Sequence, residues 1–76
     1  MNKQNRKELE HALLLIDEAK GIVEQIRDEE QEKYDNLSEG LQQSEKGQKF
    51  EANASDLDEA LNNLEEAIGN VNNSLE

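Results

Sequence analysis

From Phe50 onward, apolar side chains recur at steps of 4, 3, 4, 3, 4, 3 and 4: Phe50, Ala54, Leu57, Leu61, Leu64, Ile68, Val71 and Leu75. That spacing keeps one lane of a helix apolar, with Ala54, Leu61, Ile68 and Leu75 at heptad position a and Phe50, Leu57, Leu64 and Val71 at d. A strand would need strict alternation, which is absent. Asn53, Ser55, Asn62, Asn63, Gly69 and Asn70 interrupt the lane with weak helix formers. The spacing therefore predicts a helix that holds only against a packing partner.

The first half supplies the partner. Leu9, Ala12, Ile16, Ala19, Val23 and Ile26 step by 3, 4, 3, 4 and 3, a second seam with Leu9, Ile16 and Val23 at a. Leu13, Leu15 and Ile22 widen this stripe onto the flanking e and g positions, and a broad stripe wants more than one neighbour. Asn5 followed by Glu8 has the form of a capping pair at the helix start. The pattern predicts helix 1 over about 4–33, a connection over about 34–43 and helix 2 over about 44–74. Within the connection, Asn36 and Glu39 are expected to cap one turn carrying Leu37 and Leu41, and Ser44 to cap helix 2. With Tyr34, these leucines are apolar enough to plug the end of a hairpin.

Two long amphipathic helices joined by so short a connection predict an all-α, antiparallel two-helix hairpin, one domain over residues 1–76. Leu9, Ile16, Val23, Ile26, Phe50, Leu57, Leu61, Leu64 and Ile68 are the expected core seam. A lone hairpin would leave Leu13, Leu15 and Ile22 wet. Pairing two hairpins into a four-helix bundle would cover them, so a homodimer is expected.

Charge changes the picture on the outside of this hairpin. Eight Lys and Arg stand against 19 Asp and Glu in 76 residues, a formal net charge of −11. Residues 1–33 carry nine acids and six bases, residues 34–76 ten acids and two bases, and no base follows Lys49. Glu51, Asp58 and Glu65 share one heptad position beside Glu59 and Glu66, and Asp28, Glu29, Glu30 and Glu32 cluster late in helix 1. These carboxylates, Glu32 set aside, form the candidate interaction surface. Lys46 and Lys49 are expected to come back over the turn and relieve the unfavourable placement of that cluster at a helix C-terminus. Such an acidic face either keeps a small bundle soluble and sets helix pairing, or imitates phosphates in the groove of a basic host protein. Direct binding of nucleic acid through phosphate neutralisation is not expected at this charge. The polar faces are also wrong for a membrane surface, where basic helices bind.

The candidate chemistry is thin. There is no cysteine, hence no disulfide or thiolate. Glu8 and His11 have the i, i+3 spacing of a carboxylate–histidine metal pair, but they flank Leu9 on the outer side and lack the further carboxylates such a site needs. Asp56-Leu57-Asp58 begins like a calcium loop and fails at Ala60 and Leu61. No nucleophile–base pair or glycine-rich phosphate loop is present, so no cofactor is expected and a non-enzymatic protein is. Asn36-Leu37-Ser38, Asn53-Ala54-Ser55 and Asn72-Asn73-Ser74 are formal glycosylation sequons. The short apolar run Ala12–Ile16 is not followed by a signal-peptidase-like site, so a cytoplasmic location is expected.

The block from Ile26 to Gly47, Ile-Arg-Asp-Glu-Glu-Gln-Glu-Lys-Tyr-Asp-Asn-Leu-Ser-Glu-Gly-Leu-Gln-Gln-Ser-Glu-Lys-Gly, resembles a family of small acidic helical proteins of bacteriophages, prophages and other bacterial mobile elements. Tyr34-Asp35-Asn36-Leu37 followed by Ser44-Glu45-Lys46-Gly47 is the most specific part, with Ser38 where the family pattern has Pro. A looser likeness extends over Asp56 to Ile68. The resemblance implies no catalytic residue. It implies a phage setting in which a small acidic protein acts by binding a host protein.

Overall fold

In the computed structural model, which describes all 76 residues, the chain forms α1 (Lys3–Asp35), a single turn α2 (Glu39–Gln42) and α3 (Glu45–Leu75). The molecule measures 58 × 15 × 14 Å between Cα atoms, with a radius of gyration of 17.2 Å. A compact chain of this length would have a radius near 11 Å, so this is a rod. No helix is long and apolar enough to cross a membrane.

Both long helices begin on side-chain caps. The Asn2 side chain accepts a hydrogen bond from the Asn5 backbone N–H at 2.7 Å, and Ser44 Oγ accepts from Gly47 N–H at 3.2 Å. Ser44 is the cap expected from the sequence. The expected Asn5–Glu8 cap is corrected: Asn5 lies inside α1, because Asn2 already satisfies the first turn and lets the helix start earlier. Asn36 ends α1, and Ser38 rather than Asn36 precedes α2.

The connection folds back onto α3. Gln42 Nε2 donates to the Tyr34 carbonyl at 3.1 Å, and Ser44 N–H donates to the Leu41 carbonyl at 3.1 Å. Gly47 is buried directly beneath this turn. A Cβ there would stand 2.5 Å from the Leu41 carbonyl oxygen and 2.6 Å from that of Gln42. Leu37 and Tyr34 are half-buried as expected, but Leu41 points outward and is exposed, since its carbonyl side is what α2 presents to α3.

α1 and α3 run antiparallel. Arg27 pairs with Asp58, Lys20 with Glu65, and Arg6 Nη1 donates to the Leu75 carbonyl at 2.7 Å. That last bond brings a cation to the C-terminus of α3, a helix with no basic residue in its last turn. On α3 the expected seam is the packed one, with Ala54 and Leu61 its two buried hydrophobics.

On α1 the seam is corrected. The half-buried positions are Arg6, Leu9, Ala12, Leu13, Ile16, Lys20, Val23, Arg27, Glu30 and Tyr34, a lane of a and e positions with Ala12 the one d residue among them. Leu9, Ile16 and Val23 are half-buried along the seam. Ile26 is not, at 44% exposed, and Ala19 is exposed, while Leu13 turns inward. The helix is rotated by roughly 50° from the a/d expectation. The rotation lays the aliphatic stems of Lys20 and Arg27 across the seam while their heads reach the acids of α3, an arrangement long cations favour.

One cost of that lane is Glu30, whose Oε2 is buried without a hydrogen-bond partner and whose Oε1 reaches Lys33 only at 3.8 Å. Glu30→Leu continues the apolar a lane and removes an unsatisfied oxygen, so it is expected to raise stability by about 1 kcal/mol. A lower denaturation midpoint would contradict this placement of Glu30.

Candidate functional site

The hairpin has two long flanks of opposite character. On the first, three positions of α1 spaced by seven, Lys20, Arg27 and Tyr34, meet three positions of α3 spaced by seven in the opposite direction, Glu65, Asp58 and Glu51. Lys20 Nζ lies 3.1 Å from Glu65, and Arg27 Nη1 lies 2.6 Å from Asp58. Arg27 Nε also binds Asp28 at 2.9 Å, so one guanidinium gathers two carboxylates. The hydrogen bonds to Asp58 and then Asp28 raise the Arg27 pKa above its ordinary value. At the turn end, Lys33 and Lys46 stand 5.7 and 5.9 Å from the Phe50 ring centroid, within reach of its π face.

Tyr34 closes this row. The facing Glu51 carboxylate, then partial removal from water, then the neighbouring negative charge of Asp35 push the phenol above its ordinary pKa. The raised value means the fold favours the neutral phenol. That contribution is complete below the usual phenol value near 10 and is lost as pH rises through the raised one. Tyr34 is the one tyrosine, so the alkaline ultraviolet transition reports it alone. The midpoint is expected above 10 in the native chain and back toward 10 in Glu51→Gln; equal midpoints would contradict the Tyr34–Glu51 contact.

The candidate acidic surface is thus divided. Asp28 and Asp58 share Arg27, Glu65 holds Lys20, and Glu51 faces Tyr34. Glu30 is half-buried against the seam. Glu29, Glu59 and Glu66 are exposed and form no ion pair. Lys46 and Lys49 do not pair with the acids late in α1 as expected, because those side chains lie at the far end of the turn and Lys46 turns to Phe50. Glu8 and His11 are both exposed, and Glu8 accepts from Gln4 Nε2 at 3.2 Å. No three His, Asp or Glu side chains converge as a metal site would require.

The second flank is apolar. With a and e facing α3, the d and g lane of α1 points roughly 110° away from the seam. Its members Ala12, Leu15, Ala19, Ile22 and Ile26 form an uncharged ribbon, with Leu15 53% and Ile22 55% exposed. Since the two helices are antiparallel, the g positions of α3 lie on this same flank, and there Ala60 and Ala67 are half-buried. The sequence marks Leu15 and Ile22 as surplus apolar residues, but reading Ala19 and Ile26 as core hides the ribbon they complete.

The largest concavity, about 720 Å³, lies open along the first turns of α3 with Phe50 its one hydrophobic wall. A cleft that would enclose a substrate is a different shape, deep and largely apolar. No protein-family model matches the chain, and neither a curated protein nor a solved structure does.

Proposed function

We propose that the chain is a small acidic, non-enzymatic interaction module that associates with itself, in a phage or mobile-element setting. The observation that carries this reading is the mismatch between core and surface. Only Ala54 and Leu61 are buried hydrophobics, while Leu15, Ile22 and Ile26 stand about half-exposed along one ribbon. A domain of this length with so little buried apolar surface needs additional cover, and association is the usual source where disulfides and metals are lacking. The phage setting rests on the resemblance carried by residues 26–47 alone. Sedimentation equilibrium tests the association: a mass twice 8.6 kDa is expected, and a mass of 8.6 kDa at all loading concentrations would refute it.

A second reading, an inhibitor that imitates nucleic acid on a basic host protein, draws on Glu59 and Glu66, which project from α3 one heptad apart without partners. It has less support, since Asp58 and Glu65 of the same ridge are already engaged by Arg27 and Lys20. Competition with DNA for a basic protein, fading as salt shortens the ~10 Å screening length at 0.1 M, would favour this second reading over the first.

A further inference from the structure

We infer that a second copy of the chain seats on the apolar flank, with Leu15, Ala19, Ile22 and Ile26 of one hairpin lying over Ala60 and Ala67 of the other, about a two-fold axis parallel to the helices. This rests on the self-association proposed above and adds the face, the register and the symmetry.

Register supplies the first argument. The Arg27–Asp58 and Lys20–Glu65 pairs both put residue i of α1 level with residue 85 − i of α3, from 27 + 58 and 20 + 65. A two-fold axis along the rod keeps every height and exchanges left for right. α1 of one copy then faces α3 of the other at unchanged level. Ala19 comes level, within one residue, with the second copy's Ala67, and Ile26 with its Ala60. Ile22 falls midway between these two alanines, and Leu15 between Ala67 and Ser74. A ridge of large side chains thus meets a trough of small ones, the arrangement that lets helices interdigitate at 8–10 Å.

Charge supplies the second. Two chains of −11 each can approach only where their carboxylates are not opposed. Asp58, Glu65 and Glu51 occupy the other flank with their partners. The α1 ribbon from Ala12 to Ile26 carries no charge, nor does the α3 lane of Asn53, Ala60, Ala67 and Ser74. A basic partner protein would instead be drawn to the acidic flank, so the neutral one suits a like-charged copy.

The chain has no cysteine, so single replacements report neighbours without background. Ala19→Cys mixed with Ala67→Cys is expected to oxidise to the mixed disulfide-linked dimer faster than either variant does alone, as is Ile26→Cys mixed with Ala60→Cys. Ile22→Glu puts two charges into the interface and is expected to weaken the dimer by at least about 100-fold. Leu14→Glu, on the far side of α1, is expected to leave it intact. If Ala19→Cys links chiefly to itself, α1 packs on α1 and the axis is wrong. A dimer that survives Ile22→Glu overturns the face while leaving self-association standing. A native chain that sediments as a monomer overturns both.

Discussion

Gly47→Ala is expected to lower the melting temperature by roughly 10–20 °C, although alanine is the better helix former. In an exposed helix the exchange would stabilise by up to about 1 kcal/mol. Here the added methyl group would stand 2.5 and 2.6 Å from the Leu41 and Gln42 carbonyl oxygens and 2.8 Å from Gln42 Cα. All three are backbone atoms, so no rotamer change relieves the overlap, and α2 must lift off the start of α3. Overpacking of this kind costs about 2–3 kcal/mol, and each kcal/mol shifts the midpoint of so small a domain by about 4–8 °C. Gly21→Ala and Gly69→Ala are the controls. Nothing lies within 4 Å of a Cβ at either site, so each is expected to raise the midpoint by a few degrees. Thermal melts followed by circular dichroism decide it. A midpoint unchanged or raised in Gly47→Ala would contradict the close packing of the turn.

Leu61→Asp is expected to abolish cooperative unfolding altogether. Leu61 is 6% exposed and, with Ala54 at 2%, it is all the buried hydrophobic core there is. An unpaired carboxylate at that point costs several kcal/mol, comparable with the whole stability of a small domain. The far-ultraviolet melt should lose its sigmoidal step and become a shallow slope. A sigmoidal melt at the native midpoint would contradict the placement of Leu61 at the centre of the seam.

How much of this was legible in the sequence differs between the helices. α3 has one apolar lane, so its spacing admits one seam, and Ala54 and Leu61 are buried where that seam puts them. α1 has apolar residues at a, d, e and g, through the run Ala12 to Ile16 together with Ala19, Ile22 and Ile26. Periodicity alone cannot choose between an a/d and an a/e lane there. What decides is information on the other helix: Glu65, Asp58 and Glu51 count down in sevens as Lys20, Arg27 and Tyr34 count up. Lysine and arginine are ordinarily read as outside, so the spacing puts Ile26 and Ala19 in the core in their place. Nothing in the spacing of residues marks Gly47. Its real constraint, the approach of two α2 carbonyls, exists only once the connection folds back. The candidate acidic surface was legible as charge but not as pairing, since a row of carboxylates looks the same whether it faces water or cations.

The central claim is that the fold is completed by a second copy, and the dependence of the melting temperature on protein concentration tests it most directly. If the hairpin and its partner unfold together, dissociation enters the unfolding equilibrium, and each tenfold increase in concentration adds about 1.4 kcal/mol per mole of dimer. The expected result is a midpoint that climbs steadily from micromolar to millimolar chain. A midpoint that stays constant across that range would mean that the exposed ribbon of α1 is no part of what holds the protein together.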